Sequence, residues 1–535
     1  MTAPNIPSQT TTAPSNIADF DAWLVGDGSF VFVLKLEPTD LAGGTATLYY
    51  STGIFRDADA KPRLVMPSSI RLSVLNDGFG TRLRDDGRVD FDLIRPGQIT
   101  YGGFSLLNQD GELDSLPASY GWGDADCTLL FGAVTDTLAS LKKHMGFKVL
   151  GEPKWGFDSS GNSALRFDVK SPIINPNGPV EPTVFSGTGG NSGGEDLEGQ
   201  SKPVLIGKYR NIEPAFLKDG SLGYMIDPAK CDSLSEVYQN GRPVGSGYFT
   251  DNVTTDGTFN LDSIPNFGPI TCDAVGWTGA GRVGSTGDES LAANFKILVE
   301  DYGGAAAPTT AGLSEDGGVW LPPGAEARFE EELIKSIQPL GMYWPAQDAS
   351  KLYAGELGSP EDGTSDQTYT HAHIDSVDRV ASPPPAFEVR VGWQPLGTVL
   401  SGLDASGAVT EAEIARLTTE YRYVKAADAT VQTDYPNAIA VTVNSSLYVE
   451  ANASTLATEL LNILKVKRDV LKVKVSRHPL AVWIGQIVTL DLSAKGDGIS
   501  KYGLDTPKKF MVTGWDVRFG SADPNAGSFV MEVWG

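Results

Sequence analysis

The pattern that most limits the fold of this chain is a period-two alternation of apolar and polar residues. It is densest near the C-terminus. Leu471, Val473 and Val475 alternate with lysines, and Val488, Leu490 and Leu492 with Thr489 and Asp491. Trp515, Val517 and Phe519 alternate with Asp516 and Arg518, and Phe529, Met531 and Val533 close the run. Successive side chains of a strand point to opposite faces, so such segments are strands with one buried and one wet face. Near the other end, residues 30–36 read FVFVLKL, an apolar run suited to a buried strand. Shorter strand-like pieces follow at 47–50, 70–74, 89–94, 103–107, 128–131 and 165–169, punctuated by Gly, Pro, Asn and Asp. The expected fold class is therefore mainly β with α insertions, an α+β multidomain chain. Its 535 residues correspond to about three or four domains.

The expected organisation runs as follows. Residues 1–16, MTAPNIPSQTTTAPSN, read as a flexible polar arm without the basic and apolar regions of a signal peptide. Residues 17–170 read as one β-rich unit. Residues 171–202 read as a Gly/Pro-rich linker or long exposed loop, because SGTGGNSGGEDLEG has few side chains to bury against the entropy cost of ordering it. A small β unit is expected at 203–285, where Asn240-Gly241 in VYQNGRPV supplies the positive φ of a tight hairpin. A mixed helical unit is expected at 286–385. Its first helix places Leu291, Phe295, Leu298 and Val299 on one face, and its second places Phe329, Leu333 and Ile337 on one face before Pro339. Residues 386–535 read as a C-terminal β unit with one helix at about 454–466, capped by Ser454 and buried through Leu456, Leu460, Ile463 and Leu464.

The formal charge of −25 disfavours binding to nucleic acid, which depends on Lys and Arg displacing counterions from phosphates, and to anionic membranes. No apolar run is long enough to span a bilayer. The three cysteines, Cys127, Cys231 and Cys272, lie far apart and form no CxxC pair, so buried reduced thiols are expected.

Several short motifs invite a chemical reading. Asn108, Asp110, Glu112 and Asp114 alternate like calcium-loop ligands, but Gly111 comes too early and Ser119 stands where a bidentate Glu is needed. Glu112 and Asp114 could serve as paired carboxylates of a hydrolase only in a geometry the sequence does not show. Asp110-Gly111 is a preferred turn pair, so a turn between two strands is the favoured reading. GAGRVG at 279–284 matches GxGxxG, yet the preceding PITCDAVGW alternates and STGDE separates the motif from the next helix. GNSGG at 190–194 matches GxSxG around Ser192 but lacks the strand and helix of a nucleophile elbow. His371 and His373 would share a side of a strand, with Asp366 and Asp375 nearby as further ligands, but a third partner is missing. The tryptophans, among them Trp122, Trp155, Trp277, Trp320, Trp344, Trp393 and Trp483, suit cores, subunit contacts or sugar platforms. No catalytic, cofactor or metal residues are assigned, and no enzymatic activity is expected.

A family resemblance does emerge from longer stretches. YGGFSLLNQDGELDSL, followed by GWGDADCTLLFG, resembles the N-terminal barrel of bacteriophage tail-tip proteins, in which an N-x-D-G-x-L-D turn leads into a short strand ending in Gly. KPVLIGKYRNIEPAFL, VYQNGRPV and PITCDAVG are similar to the next module of those proteins. AVWIGQIVTLDLS, then FMVTGWDVRF and FVMEVWG, is similar to the barrel that closes tail hub proteins. Each motif is moderately specific, and their order from about Ile17 onward carries the resemblance.

The resemblance implies small β-barrels or sandwiches of the tail hub type, as in siphophage-like and gene-transfer-agent-type tails. It implies a structural virion protein made in the host cytoplasm: a tail-tip or baseplate hub, assembled as a homotrimer or alternatively a hexamer. Its ring would join the tail tube to a central fibre or spike and let DNA pass on ejection. The implied partners are other copies of the chain, the distal tail protein, the C-terminus of the tape-measure protein and the central fibre, with DNA only in transit and no membrane insertion. The sequence departs from some relatives in having no clustered cysteines for an iron–sulfur site and no motif for a peptidoglycan-cleaving domain. The alternative readings are a distal tail protein and a host-adhesion, carbohydrate-binding protein of the tail tip.

Overall fold

The computed structural model describes residues 30–66, 69–75, 88–90, 94–101, 103–157, 161–170, 183–217, 223–262, 268–279, 289–302, 309–325, 341–345, 352–401, 409–475, 482–493, 501–518 and 528–535. Strands dominate, gathered into several sheets with helices packed between them. The chain is a mainly β, multidomain protein.

The N-terminal part is built from two sheets. A six-stranded sheet orders Val169–Lys170, Lys142–Val149, Tyr120–Ala133, Phe30–Asp40, Leu48–Ser51 and Ala60–Lys61. A four-stranded sheet orders Lys154–Phe157, Ser163–Phe167, Phe104–Leu107 and Leu64–Val65. The apolar run at the start of the Phe30–Asp40 strand is explained by burial on both faces. Phe32, Leu34 and Leu36 enter the main core with Phe104, Trp122, Leu165 and Phe167, while Val31 and Val33 pack with Phe55, Leu130 and Leu141 on the other side. The Lys142–Val149 strand, KKHMGFKV, escaped the sequence pattern because charged residues occupy its first half.

The chain leaves these sheets after Leu64–Val65. Ser69–Leu75 pairs antiparallel with Ile94–Tyr101 and with the far C-terminal strand Lys508–Arg518, in the register Arg71↔Asp516. Val89–Asp90 lies parallel to Ile439–Asn444. Residues 69–101 of the expected 17–170 unit thus contribute their strands to the C-terminal sheets.

The middle part has a five-stranded sheet ordered Arg242–Pro243, Cys231–Gln239, Ile270–Gly276, Val204–Ile212 and Gly318–Leu321, and a four-stranded sheet ordered Ala215–Phe216, Gly223–Met225, Thr258–Leu261 and Phe249–Asn252. The expected hairpin forms with Tyr238 opposite Pro243, and Asn240 and Gly241 both have positive φ (49° and 78°). The last strand of the larger sheet, Gly318–Leu321, comes from beyond residue 285. The Leu291–Ile297 helix, continued by a π-turn at Leu298–Tyr302, buries Leu291, Phe295, Leu298 and Val299 as expected. Ser290 caps it by accepting from the Ala293 amide at 3.2 Å. The second helix expected in this region lies outside the described residues.

Residues 183–201 do not behave as a linker. Phe185 exchanges backbone hydrogen bonds with Gln200 and Gly199 (both 2.9 Å), and its ring is buried with Leu197, Ala215, Leu217 and Met225. The glycine content reflects conformation: Gly187, Gly189, Gly190, Gly193 and Gly199 all have positive φ, which a Cβ would strain. The stretch that looked too poor in side chains to order is held by an aromatic anchor at one end and Leu197 near the other. Residues 171–182 lie outside the described residues.

In the C-terminal part, the largest sheet runs Gln367–Thr370, Ile487–Asp491, Lys508–Arg518, Ser528–Trp534, Val470–Val475 and Ile374–Ala381. A second sheet orders Arg422–Ala427, Ala386–Trp393, Ile439–Asn444 and Val89–Asp90. The Glu450–Leu464 helix packs on it and buries Leu456, Leu460, Ile463 and Leu464. Its N-cap is Val449, not Ser454, which sits inside the helix with its carbonyl accepting from Thr458 Oγ1 at 3.0 Å. The helix-compatible Glu-Ala-Asn-Ala that precedes Ser454 extends the helix past the expected start, with Glu450 placed favourably in the first turn.

Candidate functional site

The acid-rich segment Asn108 to Asp114 is a structural turn of a particular kind. Asn108 Oδ1 accepts from the Leu113 amide at 2.9 Å, and its Nδ2 donates to Asp114 Oδ1 at 2.7 Å. Gly111, at φ 77°, lets the chain reverse. Arg63 donates to both carboxylate oxygens of Asp110 (2.8 and 2.6 Å) and to Glu112 (2.7 Å), while its other contact is the Leu107 carbonyl at 3.1 Å. The Arg63 hydrogen bonds hold the Asp110 carboxyl down to about 2. Asp110 and Glu112 are thus committed to Arg63, and Asp114 to Asn108. The turn does not close a hairpin. Phe104–Leu107 and Tyr120–Ala133 belong to different sheets, and the short helix Leu116–Ser119, entered at Pro117, carries the chain across. The expectation of a turn between two strands is corrected to a crossover, because a helical turn with Pro near its start moves the chain away from the first strand.

The other motifs are placed as follows. Ser192 ends the 3-10 turn Gly190–Ser192, which leads to a second such turn, Glu195–Leu197. GAGRVG lies outside the described residues from Ala280 onward. His371 and His373 sit in the turn between Gln367–Thr370 and Ile374–Ala381, not on a strand, and His373 Nδ1 accepts from the Thr370 amide at 3.2 Å. Asp366 accepts from the Ile487 amide at 3.1 Å, and Asp375 faces Lys474 at 4.0 Å, so the flanking acids are turned to other tasks. Among the described residues no group of His, Cys, Asp and Glu is placed to hold a metal ion. No helix among them is long and apolar enough to cross a membrane. Cys127, Cys231 and Cys272 are buried, and burial pushes the Cys127 and Cys272 thiols up. Trp122, Trp320, Trp393 and Trp483 are buried; Trp277 lies beneath Lys230 with the ammonium 4.0 Å from the ring centre; Trp155 is exposed.

A polar joint between the middle and C-terminal parts has no counterpart in the sequence reading. Arg210 and Asn211 sit where the Val204–Ile212 strand shifts register against Ile270–Gly276, and Asn211 has φ 48°. The carbonyls of Arg210 and Asn211 accept from the amides of Gly397 and Thr398 (both 2.9 Å). The Asn211 side chain donates to the Thr398 carbonyl at 2.5 Å and accepts from Thr271 Oγ1 at 2.6 Å. Asp273 accepts from the Asn211 amide (2.8 Å) and the Tyr238 hydroxyl (3.1 Å). Burial, and then the Asp273 charge, push the Tyr238 phenol up to about 12, so it acts as a donor. Arg210 Nε donates to Tyr448 Oη at 2.8 Å. A strongly bonded, buried set of this kind fixes the relative placement of two parts. Its sequence trace is an Asn in a strand at a register shift, a signal too common to be read unaided.

Over most of its length the chain aligns with solved tail proteins. The tail protein from Neisseria meningitidis MC58 matches at 10% identity and a TM-score of 0.39, covering 94% of this chain and 96% of that one. A protein of the native gene transfer agent virion matches at 13% identity and a TM-score of 0.40, covering 68% and 89%. The 43 kDa tail protein of prophage MuSo2 from Shewanella oneidensis matches at 8% identity and a TM-score of 0.37, covering 94% and 98%. The chain is similar to these tail and virion proteins. No family model matches the chain, and no curated protein does.

Proposed function

We propose that this chain is a structural subunit of a phage-type tail, a tail-tip hub that acts through shape. Copies close into a ring, as a homotrimer, that joins the tail tube to a central fibre or spike. The distal tail protein and the tape-measure C-terminus are the proposed neighbours, and the virion is its proposed place. The observation that carries this reading is the pairing of Ser69–Leu75 with Lys508–Arg518, which ties the first and last β units into one body. Such tying suits a part that transmits position between neighbours. The motif order described above supports the same reading, as does the engagement of Asp110 and Glu112 by Arg63 and of Asp366 by the Ile487 amide.

The charge of −25 has a role in this proposal. Carboxylates facing the channel repel DNA phosphates, so a duplex slides rather than sticks. Electron microscopy of assembled particles tests the proposal. The expected result is a ring with threefold or pseudo-sixfold symmetry at the tail tip and an acidic lumen. A position elsewhere in the particle, or a basic lumen, overturns it.

A further inference from the structure

The loop 311–318 has a constrained backbone and holds three elements together. Gly312 and Leu313 both have positive φ (73° and 60°), although the Leu313 side chain is buried in the main core. A leucine seldom adopts that region, so the surroundings must enforce it. The Leu313 and Glu315 carbonyls accept from Ala292 and Leu291, the opening amides of the Leu291–Ile297 helix (both 2.9 Å). The Gly317 carbonyl accepts from the Lys208 amide of the middle sheet at 3.0 Å, and the Asp316 carbonyl from the Tyr448 amide of the C-terminal part at 2.9 Å. Whatever holds this loop therefore also bears on the joint between the two parts.

One side chain clamps the loop from a neighbouring strand. Glu356 ends the Leu352–Glu356 strand, and its Oε1 accepts from the Leu313 amide at 3.2 Å. Its other oxygen lies against Gly312, where a Cβ would stand only 2.5 Å away. Glu356 is half-buried, and like charges surround it. Glu315 of the loop and Glu459 of the Glu450–Leu464 helix both act on it, while Asp316 is held by Lys208 at 3.1 Å. The paired strand, Gly341–Pro345, sets Gly341, which has no side chain, opposite Glu356. Among the described residues no cation faces this carboxyl. Burial first, then Glu315 and Glu459, hold it above its ordinary 4.5, against the Leu313 amide, which favours the ionised form.

We infer that Glu356 is a pH-sensitive latch on this loop, closing it against the Leu352–Glu356 strand most firmly when the carboxyl is protonated. The latch goes beyond the role proposed above and does not depend on it. Ionised, the carboxylate keeps the Leu313 bond but meets the charges of Glu315 and Glu459 in a half-buried setting that hydrates it poorly. Protonated, it loses that repulsion and still has an oxygen for the amide. A carboxyl raised in the folded state gives its stabilisation fully below pH 4.5, and loses it as pH climbs through the folded value. Neutral pH therefore favours local opening of 311–318, and mild acid favours closure.

The test is hydrogen exchange on the full chain between about pH 5 and 8, across which a raised carboxyl titrates. It is read by mass spectrometry on peptides covering 311–318 and corrected for the intrinsic pH dependence of exchange, with thermal melting alongside. The wild-type loop is expected to open less often at the acid end, by about 1.5- to 5-fold, the range measured for a single surface charge contact. Glu356→Gln keeps the shape and the acceptor for the Leu313 amide and removes the charge. It is expected to show at the alkaline end the protection that wild type reaches in acid, with no pH dependence left in this loop. Glu315→Gln removes a facing charge and leaves the Leu313 bond intact, so it is expected to shrink the effect. Should Glu356→Gln misfold, Glu315→Gln alone decides. A Glu356→Gln loop that still closes on acidification, or that opens more than wild type at neutral pH, overturns the latch. So does a Glu315→Gln loop that follows wild type at every pH.

Discussion

The side-chain amide of Asn211 donates to the carbonyl oxygen of Thr398, 187 residues further along the chain. The same residue accepts from Thr271 Oγ1, and its backbone carbonyl accepts from the Thr398 amide. One asparagine in the left-handed region therefore stitches the middle sheet to a loop of the C-terminal part. Replacing it with alanine leaves the part-buried Thr398 carbonyl and the buried Thr271 hydroxyl short of a partner and strains the backbone. Asn211→Ala is expected to lower stability by about 1–3 kcal/mol, read as an earlier urea midpoint. An unchanged midpoint would show that the joint is not coupled to folding.

Phe185 is expected to govern the glycine-rich segment that follows it. The ring is fully buried with Leu197 of the same segment, and Ser201 holds the far end by accepting from the Gly324 amide (2.9 Å) and donating to the Ala325 carbonyl (3.1 Å). Phe185→Ala should make the 186–199 region the first site of limited proteolysis, at a cost of about 3–5 kcal/mol. Mass spectrometry of the first fragments decides the matter; a first cut elsewhere speaks against the anchor.

The Arg63–Asp110 pair predicts a pH dependence. The folded Asp110 carboxyl sits at about 2, below its ordinary 3.8. A lowered folded value means the contribution is fully present above pH 3.8 and fades as pH falls toward about 2. Asp110→Asn should therefore melt slightly below wild type at neutral pH, with the gap closing between those limits. The pair is exposed, so the gap is expected to be small and to shrink in high salt. A gap that widens on acidification would contradict the assignment.

Gly257 offers a backbone test. It has φ 69°, and a Cβ there would stand 1.9 Å from the Asp227 carbonyl oxygen. The Ile226 amide donates to the Gly257 carbonyl at 2.9 Å, so retreat would break a bond. Gly257→Ala is expected to destabilise by more than the roughly 1 kcal/mol of conformational strain alone. Gly151→Ala, at a positive φ with open space around it, is the control that carries only the strain. Equal effects on the two melting curves would reject the steric argument.

The buried thiols predict inertness. Iodoacetamide at pH 8 is expected to leave Cys127, Cys231 and Cys272 unmodified in the native chain and to label all of them in denaturant. Rapid native labelling would place at least one thiol at the surface.

The sequence by itself determined the local grammar. Alternation at 471–475 and 529–533 specified strands; Asn240-Gly241 specified a hairpin; Leu456, Leu460, Ile463 and Leu464 specified one face of a helix. These depend on side chains a few residues apart, whose pattern says which faces are buried. Only the tertiary structure decided which surfaces meet. Backbone hydrogen bonds are the same for every residue, so nothing local tells Ser69–Leu75 to pair with Lys508–Arg518, or Phe104–Leu107 and Tyr120–Ala133 to enter different sheets. Arg63 reaching Asp110 and Glu112, Phe185 closing over Leu197, and Asn211 reaching Thr398 are likewise choices made by packing between segments distant in the chain.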